Sequence, residues 1–581
     1  MRRRIEAWPP GLVALLVAYL ALGFAYSVLV PLGEAPDEPG HYNYARLLYL
    51  HWRLPRAGEE HESFQPPLYY ALAAPLAGVG DPTQLPIRGN SEFSLQPGGA
   101  ANLLLHTRAE FMPYAAWASG WHLTRLLSLL LGAVSVWASY RLGQVVLRSE
   151  AAALLGAAAL SLAPQFTLTH GATTNDALAV ALAALLLLQL LLLVRRGCNR
   201  RRLALVGILY GLGVLAKVSL LAAGPAIAVA IYMGQPSGSF ARRLRGTLVS
   251  GALSAVVATA VCGWWFVMNT LAYGEPLAWK LIRATNQVRT VPVNWTAQLW
   301  GLHRTYWLGY VGMTLPGWLY GLLVVPLLAC LAGLAVALGR GRCRLSGAAL
   351  ALLGVFSAGF VLSWVQWTSA VAGADQARLL YPAFLATVPV LAGGALALVP
   401  PYRRKAVAWL VLICLLFLNL YALRWRVLPV FAPPARMSIA GVPEEGRRLE
   451  FANGIVLLAY RSATVAEAGD TLEVSTWWQA TRPQQVDVWM TLRLVAADGG
   501  VPVWLRGSPS GGRDTTDRWP VGPVTPAVHR LKLPGDLAPG QYTLQLGLQD
   551  FGNDAWWPVT DGSSPPVEVW PLGTVEVLPP G

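Results

Sequence analysis

The sequence predicts a polytopic α-helical membrane protein with about eleven transmembrane helices and a C-terminal antiparallel β-sandwich. Three observations support this fold class. Only 13% of the 581 residues are charged, whereas soluble domains carry about 25%. Long apolar runs alternate with short basic connections up to about residue 424. The remaining residues show the alternation of apolar and polar side chains that is typical of half-buried strands.

The apolar runs are candidate membrane spans, because a helix needs about 20 residues to cross the hydrocarbon core. The first run, Gly11–Val30, follows Arg2–Arg4. It is too long for the core of a signal peptide, so we predict an uncleaved first span. The other candidate spans are 121–146, 150–167, 174–194, 203–217, 218–234, 247–267, 316–338, 346–364, 378–399 and 405–424.

The basic residues predict the orientation of the spans. If Arg2–Arg4 lie in the cytoplasm, every second connection should be basic. Five connections agree, at 141–148, 195–202, 242–245, 340–344 and 403–405. The N-terminus is therefore expected to be cytoplasmic in a bacterial-type plasma membrane, and the long segments 31–120, 268–315 and 425–581 extracytoplasmic. The same clustering argues against nucleic-acid binding, despite a net charge of +14, because the cations form no continuous face.

The C-terminal part of the chain is predicted to be a separate extracytoplasmic domain. Strand-like alternation occurs at 471–477, 486–494 and 542–548, between turns rich in Gly, Pro and Asp. Three prolines within 425–436 indicate a linker. We therefore divide the chain into a membrane domain at 1–424, a linker at 425–436 and a β-sandwich at 437–581, which we expect to fold alone.

The first long segment opens with two adjacent carboxylates, Asp37 and Glu38, directly after the first span. Pro39 suits the first turn of a helix that either acid would cap, and this helix would carry His41 and several aromatic residues. The spacing alone equally fits a solvated turn followed by an interfacial aromatic belt.

Other polar residues lie where apolar runs meet the predicted outer side. The first segment also contains Gln65-Pro66-Pro67-Leu68-Tyr69-Tyr70, after three glutamates. Asp176, Lys217 and Arg378 stand at outer ends of spans. Each has an ordinary alternative explanation, because an acid favours a helix N-terminus and long cations anchor helices at the interface.

Taken together and in order, these motifs resemble the GT-C class of polytopic glycosyltransferases, near the protein mannosyltransferases and the lipid A aminoarabinose transferases. The matching stretches cover roughly residues 1–424: Pro36–Tyr42, Gln65–Tyr70, Asn175-Asp176, Gly211–Lys217, Trp264–Gly274 and Gln376–Pro382. The resemblance implies transfer of a sugar from a polyprenyl-phosphate donor to an extracytoplasmic acceptor, which the sequence does not identify as glycan, lipid or protein.

The resemblance also implies roles for individual residues. Asp37, with Glu38 beside it, would deprotonate the acceptor hydroxyl. A phosphate leaving group needs positive charge and no proton, so Lys217, Arg378 and Arg125 would stabilise it. Direct displacement would invert the anomeric centre. The substrate-binding residues are expected to be His41, Gln65, Tyr69, Arg125, Asp176, Lys217 and Arg378. The sequence identifies no cofactor with certainty, and a divalent cation is left open.

Two other functions are compatible with the composition. One is a transporter or flippase of lipid-linked sugars, although transporters place polar groups at the bilayer midplane in paired broken helices. The other is a non-catalytic membrane protein whose sandwich binds glycan through exposed tryptophans. Trp477, Trp478, Trp489, Trp556 and Trp557 are the candidates, but alternating tryptophans of a sandwich more often belong to the core.

Overall fold

A computed structural model describes residues 8–96, 99–340, 346–444 and 447–580. The chain forms two compact units. The first contains the residues up to Leu85 and Ala116–Val427, and the second contains Pro86–Ala115 and the residues from Leu428 onwards. The basic N-terminus at Arg2–Arg4 and residues 341–344 of the basic connection 340–344 lie outside the described residues.

The first unit is helical, and the protein is a multi-pass membrane protein. Among the described residues, eight helices are long and apolar enough to cross a membrane, or nine if a bent pair is counted as one span. The eight are Pro10–Leu29, Ala116–Leu147, Asp176–Arg196, Phe240–Tyr273, Gly317–Gly339, Gly347–Ala370, Ala377–Ala397 and Pro401–Phe431. The bent pair is Glu150–Ser161 and Pro164–His170, with 65° between its helices.

The predicted count of about eleven spans is therefore not confirmed, for a reason of length. The predicted spans 203–217 and 218–234 coincide with Arg200–Ala216, which has 17 residues, and with the shorter apolar helix Val218–Met233. Helices of this length are marginal for crossing about 30 Å of hydrocarbon at 1.5 Å per residue. The chain breaks its helix at Lys217, whose backbone is extended, between these two apolar stretches.

Short helices follow the first span and bring polar side chains to its end. Glu38–His51 begins directly after the turn at Asp37, and Leu68–Ala77 begins after the two prolines of the Gln65 motif. The later segment 268–315 also contains helices, at Trp279–Thr285 and Trp295–Trp307. The first-loop helix expected from Pro39 is thus present.

The second unit contains a β-sandwich, as predicted. One sheet has the strands Val465–Glu467, Trp570–Leu578, Gly540–Asp550, Val488–Val495 and Val503–Gly507 in spatial order, with Trp556–Trp557 paired to the third of these. The other has Val559–Thr560, Leu449–Phe451, Ile455–Ser462, Thr471–Ala480 and Val524–Lys532. The pairings are antiparallel, except that Val465–Glu467 runs parallel to Trp570–Leu578. The predicted runs 471–477 and 542–548 lie within strands, and 486–494 lies within Val488–Val495 except for its first two residues.

The two sheets share one apolar core. Leu457 and Trp478 from one sheet and Met490 and Leu546 from the other belong to the same cluster of buried side chains. Trp478 is completely buried, so among the proposed sugar-binding tryptophans it belongs to the core. The segment 86–115, part of the long first loop, also belongs to this unit, which was not predicted.

Candidate functional site

Asp37 lies at the turn between the first span and the helix Glu38–His51. Its backbone is left-handed, with φ 58°, a conformation that Asp tolerates better than most residues. Although it occupies the N-cap position, its side chain makes no capping hydrogen bond. The carboxylate instead accepts a hydrogen bond from Nη2 of Arg378, and 43% of the side chain remains exposed. The expected capping role is thus absent, and one face of the carboxylate is accessible.

Arg378, Asp176 and Lys217 form a line of alternating charges that continues from Asp37. Nη1 of Arg378 lies 3.1 Å from Oδ2 of Asp176, and Nζ of Lys217 lies 2.5 Å from Oδ1 of the same carboxylate. The side chains of Asp176 and Arg378 are only 4% and 7% exposed. Asp176 therefore holds both cations in place. The two cations thus share one acid and do not stand apart from each other.

Glu38 and Arg125 form a separate buried pair. The carboxylate of Glu38 accepts bonds from Nε and Nη2 of Arg125 at 2.6 and 2.7 Å, and from the backbone N–H groups of Gly33 and Thr173. Arg125 also donates to the carbonyls of Ser27, Val30 and Pro31 at the end of the first span. The side chain of Glu38 has no exposed surface, so the pair is not placed to contact a substrate. The pair instead holds the turn that carries Asp37.

Gln65 and Tyr69 contact the residues just before Asp176. Oε1 of Gln65 accepts a hydrogen bond from Nδ2 of Asn175 at 3.2 Å. The hydroxyl of Tyr69 accepts from the N–H of Thr174 at 3.1 Å. The side-chain hydroxyl of Thr174 also accepts a hydrogen bond from the N–H of Asp176, at 3.2 Å. The Gln65 motif thus positions the start of the Asp176 helix.

His41 lies one turn after Asp37, and its Nδ1 is 2.8 Å from the hydroxyl of Tyr70. Burial lowers the pKa of His41 more than the nearby carboxylates of Glu62 and Asp37 raise it, so the imidazole is neutral at pH 7. Together with these two carboxylates it forms a group of potential metal ligands. Sequence reasoning did not include Glu62 or Tyr70 in the site, and the run of three glutamates before the two prolines was the available signal.

The electrostatics of Asp37 fit a carboxylate that is ionised at neutral pH. Burial raises its pKa, but the charge of Arg378 and the hydrogen bond from this residue outweigh that effect, and the pKa lies below its ordinary value. The geometry therefore offers an accessible anionic oxygen next to a fixed guanidinium. Such an arrangement can accept a proton on one side and stabilise an anion on the other.

One family model and two solved structures match parts of this chain. Residues 118–265 match the family model described as dolichyl-phosphate-mannose-protein mannosyltransferase. ArnT from Cupriavidus metallidurans, solved with bound undecaprenyl phosphate, matches with 16% sequence identity and a TM-score of 0.44, over 72% of this chain and 69% of that chain. The S. cerevisiae protein O-mannosyltransferase Pmt1-Pmt2 complex bound to the sugar donor matches with 15% identity and a TM-score of 0.32, over 45% of this chain and 33% of that chain.

A search of curated protein sequences gave no significant match. The stretch 118–265 includes Arg125, Asp176 and Lys217, and it excludes Asp37, Glu38, Glu62 and Arg378. The predicted resemblance to the protein mannosyltransferases is thereby confirmed over this stretch.

Proposed function

We propose that the chain is a membrane glycosyltransferase that moves a sugar from a polyprenyl-phosphate donor to a hydroxyl on an extracytoplasmic acceptor, with inversion at the anomeric carbon. The observation that carries the proposal is the contact of the exposed carboxylate of Asp37 with Arg378, which shares Asp176 with Lys217. The matched family is described by its use of dolichyl-phosphate-mannose, a sugar on a polyprenyl phosphate, and this supports the donor class.

The reaction needs one base and a cationic site for the leaving group. The carboxylate of Asp37 takes the proton of the acceptor hydroxyl as the hydroxyl oxygen bonds to the anomeric carbon. The bond from that carbon to the phosphate oxygen breaks, and its electron pair leaves with the polyprenyl phosphate. Arg378 and Lys217 stabilise the added negative charge, so no general acid is needed. Glycosidases differ because their alkoxide leaving group must be protonated.

Glu38 and Arg125 take a different part in this proposal from the one that the sequence suggested. Both are committed to each other and to backbone groups of the turn at 27–33. We assign them to positioning Asp37 in its left-handed conformation, and we assign Gln65 and Tyr69 to positioning Asp176. The accessible side of Asp37 is left for the acceptor hydroxyl.

The test is turnover by the purified full-length chain. Polyprenyl-phosphate-linked sugars are supplied one at a time with cell-envelope acceptors, and release of polyprenyl phosphate is measured. Asp37→Asn keeps the shape of the side chain but removes its basicity, and loss of a general base typically costs about 10²–10⁴ in rate. Asp81→Asn, which alters an acid of the same loop that caps its own turn, is the matched control. Near-normal turnover by Asp37→Asn would remove it from the mechanism.

One observation favours a flippase as a second candidate. The bent pair Glu150–Ser161 and Pro164–His170 resembles the broken helices at which transporters bind their cargo. Reconstitution into vesicles separates the functions: a flippase moves a labelled lipid-linked sugar between leaflets without releasing polyprenyl phosphate. Movement without release would replace the transferase proposal.

A further inference from the structure

We infer that Asp37, His41 and Glu62 form a binding site for one divalent cation. Each of these residues presents a ligand atom, and the three atoms lie within 4.8 Å of one another. Two carboxylate oxygens and an imidazole nitrogen are a donor set that suits Mn²⁺ or Zn²⁺. The inference rests on this geometry, and only its consequence for an incoming phosphodiester rests on the proposed sugar transfer.

Glu62 provides the first independent support for the site. Its side chain is 4% exposed, and its closest ion-pair partner is the exposed imidazole of His61 at 3.8 Å, which is beyond hydrogen-bond distance. In the described part of the chain, no donor forms a hydrogen bond to its carboxylate. A buried carboxylate without a donor is costly. A cation between Glu62 and Asp37 would supply the missing partner.

The local backbone brings Glu62 close to the helix that carries His41. A Cβ atom on Gly40 would lie 3.0 Å from Cγ of Glu62 and 3.0 Å from Oε1 of Glu60, so a larger residue at position 40 would push this turn away. Glu60 itself is engaged, because it accepts hydrogen bonds from the side chain of Asn43 and the N–H of His61. Of the two acids near Gly40, only Glu62 is therefore available as a ligand.

Tyr70 orients the imidazole in the manner expected of a metal ligand. Nδ1 of His41 lies 2.8 Å from the Tyr70 hydroxyl. In the tautomer with the proton on Nδ1, this nitrogen donates to the Tyr70 oxygen and Nε2 keeps its lone pair for a cation. Histidine ligands usually have their second ring nitrogen held in this way, which fixes the tautomer and the ring.

The charges of the neighbourhood also fit a divalent cation. Asp37, Glu62 and Asp176 are opposed by Lys217 and Arg378, so the five side chains carry a net charge of minus one. Arg378 contacts Oδ2 of Asp37, and a carboxylate has further lone pairs on its other oxygen. A divalent cation makes the group positive by one, which favours an approaching phosphodiester anion. Without the cation, that anion would enter a negatively charged site.

The experiment uses the purified full-length chain and Mn²⁺ alone, with no donor or acceptor. Titration followed by the electron paramagnetic resonance signal of free Mn²⁺ should show one site. Loss of a partner that only orients a ligand typically weakens metal affinity by about 10–100-fold, so Tyr70→Phe should fall in that range and Glu62→Gln should weaken binding at least as much. Glu60→Gln is the matched control and should bind as the unaltered protein does.

Pulsed electron paramagnetic resonance of the bound Mn²⁺ is a second measurement, and it does not require a comparison of how well the variants fold. The unaltered protein should show coupling to an imidazole nitrogen, and His41→Ala should lose it. Equal Mn²⁺ binding by the unaltered protein and Glu62→Gln would overturn the site, as would a spectrum without nitrogen coupling. Because no substrate is present, either result leaves the transfer reaction to be judged by turnover alone.

Discussion

The guanidinium of Arg125 donates two hydrogen bonds to the carboxylate of Glu38, from Nε to Oε1 at 2.6 Å and from Nη2 to Oε2 at 2.7 Å. The side chains of Arg125 and Glu38 are 1% and 0% exposed. The remaining donors of Arg125 bind carbonyls at the end of the first span. The pair therefore ties the span to the first turn of the next helix and restrains Asp37 between them.

We expect that breaking this pair destabilises the membrane unit. Glu38→Gln or Arg125→Met leaves one charge buried and unpaired, which typically costs about 3–5 kcal/mol. Thermal unfolding in detergent measures the loss, and the double variant should lose less than the two single losses added together. Arg53→Met is the matched control, because the Arg53–Glu59 pair on the same loop is exposed, and it should unfold as the unaltered protein does. An unchanged unfolding temperature in Glu38→Gln would contradict the positioning role.

The pH dependence of turnover should report the contact between Arg378 and Asp37. The pKa of Asp37 lies below its ordinary value because of the Arg378 charge, so the carboxylate is ionised and can act as a base at neutral pH. Arg378→Met removes that charge, the pKa rises, and the acid limb of kcat/KM should move to higher pH. Lys280→Met, an exposed cation elsewhere, should leave the limb in place. A limb that stays fixed in Arg378→Met would show that another group controls it.

Donor binding should depend on the two cations that share Asp176. Lys217→Met and Arg378→Met each remove one charge-assisted contact available to a phosphate, and such contacts are worth roughly 1.5–3 kcal/mol. Binding of a polyprenyl-phosphate sugar in detergent should weaken in both variants. Arg424→Met is the control for an exposed arginine at a helix end. Unchanged affinity in both variants would exclude these residues as the phosphate site.

The sequence predicted the helices and strands better than the side-chain contacts between them. Apolar runs and strand alternation depend on local composition, so the helices and the strands around Trp478 and Leu546 were predictable. The line of alternating charges that begins at Asp37 was not predictable, because Asp37 and Arg378 are 341 positions apart in the chain and come into contact only after the helices pack. For the same reason Arg125 was assigned to a phosphate, although its partner is Glu38.

The fold also contains a relationship that the sequence pattern could not reveal. The segment 86–115 is polar, lacks long apolar runs and reads as an ordinary loop, yet it belongs to the same compact unit as the sandwich. Its attachment depends on individual buried pairs, such as Arg88 with Asp487 and Glu92 with His529. Such pairs leave no periodic signal in the sequence.

The orientation predicted from the basic connections can be tested with reporter fusions. A reporter that is active only outside the cytoplasm should work when fused after residue 300 or after residue 430, because both positions lie in predicted extracytoplasmic segments. Fusions after residues 199 and 341, within basic connections, should be inactive and serve as the matched negatives. An inactive fusion at 430 would reverse the orientation and place Asp37 on the cytoplasmic side.

The second unit should need the segment 86–115 for full stability. Asp487 is buried, with Nη1 of Arg88 against its Oδ2 and two donors from Thr516 on its other oxygen, and burial raises its pKa to about 6. Residues 428–581 without the segment would keep this acid but lose its arginine. We expect the fragment to unfold at lower temperature than a version with 86–115 joined by a flexible linker.

Arg88→Met in the joined version should remove most of the gain, because it leaves Asp487 without its cation. Arg448→Met, which breaks an exposed pair with Glu450, should not.

The raised pKa of Asp487 also determines how the stability of the second unit changes with pH. Asp487 favours the folded state while it is protonated, and this contribution is lost as the pH rises through about 6. Asp487→Asn should therefore flatten the fall in stability between pH 4 and pH 7, roughly the interval bounded by the ordinary Asp value and neutrality. If the fragment 428–581 were as stable alone as with its segment, the buried pairs would be incidental and the sandwich would be independent of the first loop.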